Sequence, residues 1–376
     1  MTQPVRSLHV LGRLQPGGVE SWLMHVLRNA DRTRTAIDFL VHSRQPGAYD
    51  EEALRLGARV FTCPHIKNPW RYARRFKQIL TEHGPYDVVH GHVYHYSGFV
   101  LRLARGLSVP VRVAHSHTDR RAAAKSAGWL RRAYAGLCSH WIDRSATVGL
   151  ACSEQAAESL FGPNWTADPR YRVLHYGIDL APFRQPVRRD AVRKELGLPT
   201  DALVVGHVGS FRPVKNHAFL LDVAEQSPRN VHFLLVGDGP LRESIATSAR
   251  RRGLADRIVF AGARHDVPRL LLACDVMTLP SLYEGLGLVL IEGQAAGLPC
   301  VVSDVIPREV DQVPGLVHRR SLALPAADWA RALCEAAAAR TVPARSLAIL
   351  EQSSFSIAAS VRGLEEAYGL RHAAAG

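Results

Sequence analysis

The chain has 376 residues, with 47% hydrophobic and 22% charged side chains, a balance that excludes disordered and fibrous classes. Its 47 Lys and Arg against 34 Asp and Glu leave a net charge of +13, and residues 1–185 hold 25 basic and 14 acidic side chains against 22 and 20 in the remainder. A half with a net +11 implies an anionic partner there: nucleic acid, a membrane surface or a phosphate-bearing substrate.

The N-terminus, MTQPVRSLHVLG, enters a strand-like run with no apolar signal-peptide core. The run pattern then predicts strands at Leu8–Leu11, Ile37–Val41, Arg59–Thr62, Asp87–His90, Val111–Ala114, Gly149–Cys152 and Arg172–His175. Helical stretches such as Val19–Asn29, Trp70–His83 and Ala122–Ser145 alternate with them. A helix at Arg188–Leu196 opens a second series, with strands at Leu203–Val208, His232–Val236, Ile258–Phe260, Asp275–Leu279, Cys300–Ser303 and Leu316–His318. Helices at Ala326–Ala339 and Ser356–Tyr368 close the chain, and the tail RHAAAG is expected to fray. Short apolar strands alternating with helices imply parallel sheets covered on both faces, and two series imply two doubly wound α/β domains. The boundary is placed at residue 180: an N-terminal domain over 1–180, a C-terminal one over 181–355, and a final helix over 356–376 that returns to the N-terminal domain. No stretch reaches the ~18 apolar residues of a spanning helix. The dispersed Cys63, Cys138, Cys152, Cys274, Cys300 and Cys334 form no CxxC pair and suit reduced thiols. The expectation is a cytoplasmic protein, with peripheral attachment at a membrane as the variant.

Ligands of open parallel sheets bind beyond the carboxyl ends of the strands, so the strand ends carry the candidates. After the first strand, Gly17-Gly18-Val19-Glu20 opens a helix, where free N–H groups suit an anion, although a plain tight turn reads equally well. At His207–Asn216, Gly209 permits a bend, and Arg212 and Lys215 lie three apart, suited to clamping a diphosphate. A solvated basic turn is the other reading. In Pro280–Gly297, Glu284 precedes a Gly-x-Gly turn and Glu292 follows eight residues later, about two helical turns on. Glu292 amid Leu-Val-Leu-Ile and Gly-Gln-Ala-Ala is costly to bury without hydrogen-bond donors, which a hydroxyl-rich ligand supplies.

Glu284-x7-Glu292 within EGLGLVLIEGQAAGLP, with the Gly209–Asn216 and Gly17–Glu20 turns, resembles glycosyltransferase family 4. DVVHGH at 87–92, VLHYGID at 173–179, VGDGP at 236–240 and Ser303-Asp304 extend the resemblance along nearly the whole chain, closest to exopolysaccharide and capsule members. It implies a GT-B fold, two Rossmann-like domains facing across a cleft, and retaining transfer from a nucleoside-diphosphate sugar, most often UDP-linked, to a lipid-linked or polysaccharide acceptor. By the same resemblance, Arg212, Lys215, Gly17, Gly18, Gly285, Leu286 and Gly287 serve the donor phosphates, Glu292 the ribose, the backbone around Arg264 the base, and Glu284 the donor sugar. A catalytic histidine falls on His117, the residue farther beyond its strand, with His115 as the alternative. No cofactor or metal is expected, because placed cations and helix N-termini stabilise the departing diphosphate. Leu286 stands where many members have Phe, Gly293 where Ala is usual, and His175-Tyr176 where Pro-Asn is common.

Other readings remain. His90-x-His92-xx-His95 and His115-x-His117 are compatible with a metal hydrolase, and a GT-B nucleotide-sugar epimerase would use the same donor groups. A non-enzymatic nucleic-acid-binding protein would need a basic stripe with exposed aromatics. The cations instead gather at Lys67, Arg71, Arg74, Arg75 and Lys77 beside Trp70, Tyr72 and Phe76, and at Arg120, Arg121, Lys125, Arg131 and Arg132 beside Trp129 and Leu130. Basic helices with Trp and Leu suit an anionic membrane, and no nucleic-acid partner is expected.

Overall fold

A computed structural model describes residues 3–119, 121 and 128–370. The chain divides into two compact units, one formed by residues up to Gly177 and from Ile357 onward, the other by Ile178–Ser356.

In the N-terminal unit seven parallel strands, β1 (Val5–Leu11), β2 (Thr35–Val41), β3 (Val60–Thr62), β4 (Val88–Gly91), β5 (Val111–Ser116), β6 (Val148–Ala151) and β7 (Tyr171–Val173), lie in the order β3-β2-β1-β4-β5-β6-β7. The winding reverses between β1 and β4, which pair from Ser7–Val88 to Val10–Gly91. The central strands are apolar on both faces because helices cover both, as β4 shows with all four residues buried. The helix Pro69–His83 illustrates why the sequence folds locally: Asn68 caps it by accepting from the Arg71 amide at 3.0 Å, and proline occupies the first turn. Tyr72, Phe76, Ile79 and Leu80, at helical spacing, then enter the core. Burying each contributes roughly 1.5–3 kcal/mol. Helices Ser97–Gly106 and Trp129–Ser145 pack closely at Gly98, where a Cβ would stand 2.2 Å from the Cys138 carbonyl oxygen.

The last helix, Ile357–Ala367, belongs to this unit. Trp22, fully buried on helix Gly18–Asn29, donates its indole N–H to Ser360 Oγ at 2.7 Å and stacks on Tyr176. Arg34 pairs with Glu365 at 3.2 Å, and the Tyr368 hydroxyl lies 2.8 Å from His90 Nδ1 and 3.1 Å from His9 Nε2.

The C-terminal unit repeats the plan with six parallel strands: β8 (Leu203–Val208), β9 (Val231–Val236), β10 (Ile258–Gly262), β11 (Val276–Leu279), β12 (Cys300–Ser303) and β13 (Val317–Arg320), in the order β10-β9-β8-β11-β12-β13. Its reversal lies between β8 and β11. Trp329 and Leu333, on helix Ala326–Ala337, fill the core beside Val205 and Phe233. All six cysteines are free thiols. No helix among the described residues is long and apolar enough to cross a membrane.

The Trp22–Ser360 contact sets a test of the terminal helix. Trp22→Ala is expected to destabilise the N-terminal unit by about 3–5 kcal/mol and Ser360→Ala by about 1–3 kcal/mol, read from hydrogen exchange of the β1 and β4 amides.

Candidate active site

At the β8–β11 reversal two loops part at the carboxyl ends of the strands. The β8 loop runs through Gly209, beside which the Lys215 stem passes: a Cβ there would meet Lys215 Cδ at 3.2 Å. Pro213–Lys215 form a single 3₁₀ turn, on which residues three apart eclipse, and Asn216 stops it in the left-handed conformation at φ 55°. The guanidinium of Arg212 is exposed and makes no hydrogen bond or ion pair among the described residues. Lys215 Nζ lies 2.5 Å from Glu284 Oε1, both side chains mostly shielded, and Ser281 Oγ donates to the same oxygen at 2.7 Å. A backbone bond from the Leu282 amide to the Val214 carbonyl, 2.8 Å, ties the two loops together.

The β11 loop differs from the sequence expectation. The helix after it covers only Val289–Ala295, so Glu284 stands outside it and the two-turn spacing to Glu292 does not apply. Gly287, at φ +83°, makes a left-handed bend that a side chain opposes, and this keeps Gly285–Gly287 in a turn. Leu286 is buried, so from this residue only the backbone is offered to a ligand.

Glu292 is half-buried, and its carboxylate makes no hydrogen bond or ion pair among the described residues. Desolvation pushes its carboxyl up from 4.5 to about 7. Arg264 is occupied: it grips Asp266 through two bonds of 2.7 and 2.8 Å and lies 3.5 Å from Glu195, holding the Asp266 carboxyl down to about 2. Only the backbone near Arg264 is therefore open, at Gly262 with φ +71°.

In the N-terminal unit the exposed Gly17 and Gly18 open helix Gly18–Asn29. Beyond β4 and β5 the chain brings together histidines that sequence reasoning had kept as separate pairs. A two-residue period puts His90 with His92, and His115 with His117, on common strand faces. His9, which carried no signal in the sequence, joins them because β1 pairs with β4 in the register His9–His90. His9 Nδ1 lies 3.0 Å from His92 Nε2, His90 Nε2 3.0 Å from His115 Nδ1, and His92 Nδ1 2.9 Å from His117 Nε2. The Tyr176 hydroxyl bonds to His117 Nδ1. His115 is completely buried, whereas His117 is half-buried. Burial holds His9 at about 3 and keeps His90, His92 and His115 well below the usual histidine value.

The basic clusters separate by exposure. Lys67, Arg71, Arg74 and Lys77 are exposed around Trp70, which is 85% exposed, while Arg75 is half-buried and Tyr72 and Phe76 are core. Arg131 and Arg132 are exposed beside Trp129 and Leu130, 70% and 67% exposed. Arg121 is committed to Asp119 and Glu158. Arg120, Lys125 and the RHAAAG tail lie outside the described residues.

Comparison with known proteins addresses the chain as a whole. The family model of glycosyl transferases group 1 matches residues 202–339, and that of the glycosyl transferase 4-like domain matches residues 17–177. The Bacillus subtilis (strain 168) protein named as glycosyltransferase EpsF is 40% identical over 342 residues, covering 89% of this chain and 88% of that protein. The chain belongs to the group 1, 4-like glycosyltransferases. An Escherichia coli UDP-Gal:α-D-GlcNAc-diphosphoundecaprenol α-1,3-galactosyltransferase is 32% identical over 232 residues, 58% of this glycosyltransferase and 58% of that one. Among solved structures, Anabaena HepE in complex with UDP and glucose is similar in fold, with a TM-score of 0.80 at 20% identity over 97% of this chain and 99% of that one. WaaG, involved in lipopolysaccharide biosynthesis, gives 0.74 at 16% identity over 96% and 100%. The two Rossmann-like units of this glycosyltransferase are thus those of the GT-B fold.

The raised Glu292 carboxyl has a signed consequence for stability. The unfolded chain releases this proton near 4.5 and the folded glycosyltransferase near 7, so stability falls as pH rises through that window. Glu292→Gln is expected to match wild type near pH 4 and to exceed it above pH 7 by up to ~3 kcal/mol, seen as a melting-temperature difference that opens with pH.

Proposed function

We propose that the protein transfers a sugar from a uridine-diphosphate sugar to an acceptor hydroxyl with retention at the anomeric carbon. The observation that carries this reading is the Lys215–Glu284 contact at the sheet reversal, with the unpaired Arg212 beside it. A cation and a carboxylate held together in the free protein are a matched pair for a ligand that is anionic at one end and hydroxylated at the other. On donor binding, Lys215 exchanges Glu284 for a phosphate oxygen and Arg212 adds a forked contact. Glu284, released, accepts from the hydroxyls of the donor sugar. Glu292 accepts from the ribose, whose hydroxyls supply the donors that its carboxylate lacks. HepE crystallised with UDP-glucose supports the choice of base and donor class.

In this reading the bond from the anomeric carbon to the diphosphate breaks with its electron pair going to the phosphate. Arg212 and Lys215 stabilise that charge, and no metal is assigned to it. The acceptor oxygen attacks from the same face, and its proton passes to the departing phosphate. Glu284 is given a sugar-binding role rather than that of a nucleophile, because its carboxylate accepts from the sugar hydroxyls in this reading and Ser281 still holds Oε1 once Lys215 has turned to the phosphate. His117, the more accessible histidine, is assigned to the donor sugar on the family pattern. A lipid-linked acceptor follows from the basic N-terminal unit and is supported by the diphosphoundecaprenol substrate in the name of the Escherichia coli relative. The exposed Trp70 and Trp129 among free cations are the surfaces proposed to meet an anionic bilayer.

A thermal-shift panel of nucleotide sugars tests the donor. A UDP-sugar is expected to raise the melting temperature, Lys215→Ala and Arg212→Ala to cancel most of that rise, and each to lower kcat/KM by about 10²–10³. No shift with any UDP-sugar would overturn the donor assignment, and a covalent glycosyl-enzyme detected by mass spectrometry would overturn same-face attack. For the membrane, neutralising Lys67, Arg71, Arg74, Arg131 and Arg132 is expected to abolish cosedimentation with anionic liposomes; unchanged cosedimentation would remove that part of the account.

A further inference from the structure

We propose that His92, His115 and His117 form a binding site for one divalent cation of the zinc class. One nitrogen from each ring lies within 4.8 Å of the other two. The hydrogen bonds assign which nitrogen each ring has to offer. His92 is held through Nε2 by His9, His115 through Nδ1 by His90, and His117 through Nδ1 by Tyr176. The three remaining nitrogens converge: His92 Nδ1 and His117 Nε2 face each other at 2.9 Å, a contact that a shared metal ion would replace, and His115 Nε2 lies beside them. Ligating histidines are characteristically anchored this way, by a second contact at the nitrogen that does not bind the metal.

An independent observation points to a missing partner. His115 Nε2 is buried and has no hydrogen-bond partner, although its ring is completely shielded. A buried ring nitrogen left unsatisfied costs roughly 1–3 kcal/mol, which a metal bond removes. Tetrahedral ligands 2.0–2.1 Å from zinc stand about 3.4 Å apart, so rings already within 4.8 Å need shift little.

The neighbouring triad, His9, His90 and His92, meets the same distance limit but has every nitrogen engaged. It therefore serves better as the anchor. Three imidazoles without a carboxylate favour zinc, cobalt or nickel over magnesium or calcium. The half-buried His117 gives the ion an entry side and leaves a fourth position for water or a substrate oxygen. This site lies at the carboxyl ends of β4 and β5 in the N-terminal unit, whereas Arg212 and Lys215, the cations assigned to the phosphates, belong to the C-terminal unit.

The test uses the full chain without an affinity tag, stripped with EDTA and desalted. Zinc chloride is titrated in by calorimetry, metal retained after a second desalting is counted by mass spectrometry, and cobalt chloride reports geometry by visible absorption. The wild-type chain is expected to retain one zinc and to give the intense bands of tetrahedral cobalt, with no heat from magnesium chloride. His115→Ala and His117→Gln, each checked for folding by circular dichroism, are expected to lose the retained zinc. A wild-type chain that keeps no zinc, cobalt bands of octahedral type, or zinc retained unchanged by either folded variant would overturn the proposal. No sugar donor enters any arm, so the result stands or falls apart from the transfer reaction.

Discussion

Parallel strands are fed from one end, and a sheet wound in both directions must therefore part its loops where the winding reverses. That constraint organises both halves of this protein, at β1–β4 and at β8–β11. In the C-terminal unit the gap is bridged by one short contact between opposite charges, Lys215 and Glu284, which neutralises each while no ligand is bound. The loops that present the pair are fixed from below: Lys215 by a 3₁₀ turn ending at a left-handed Asn216, Glu284 by Ser281 and the Gly287 bend. Glu292 goes the other way. It sits half-buried without a counter-charge and gives up stability at neutral pH, the kind of local cost that persists where a ligand later supplies the missing donors.

The N-terminal unit solves a similar problem with uncharged groups. Five histidines and two tyrosines share one hydrogen-bonded network at the carboxyl ends of its central strands, and burial disfavours the charged form of His9, His90, His92 and His115. A network of this kind leaves one atom over, His115 Nε2, and the metal proposal turns on that atom. The last helix is part of the arrangement, because Tyr368 just beyond it joins His9 to His90.

Much of this was legible in the sequence. Each of the thirteen strands overlaps a run noted there; the central ones are apolar because both their faces are buried, whereas the edge strands β3, β7 and β13 contain no buried residue. Lys215 and Glu284 were both singled out, but their direct contact was not, since nothing local relates a turn after one strand to a loop after another 69 residues on. The helix expected between Glu284 and Glu292 failed at Gly287, where a left-handed backbone outweighed the apolar periodicity. His9, Tyr176, Ser360 and Tyr368 were invisible for the same reason: their partners lie far off in sequence and depend on register or on the return of the terminal helix. Spacing also could not separate the buried Tyr72 and Phe76 from the exposed Trp70 on one helix, since all three read as aromatics in a basic segment.

The central claim is that a nucleoside-diphosphate sugar satisfies the uncompensated carboxylate of Glu292. Calorimetry of UDP-sugar binding at pH 7, repeated in buffers of different ionisation enthalpy, counts protons exchanged on binding. A carboxyl near 7 that gains two hydroxyl donors is expected to lose about half a proton per donor bound, and Glu292→Gln to lose none. Binding with the same proton count in wild type and Glu292→Gln would contradict the account.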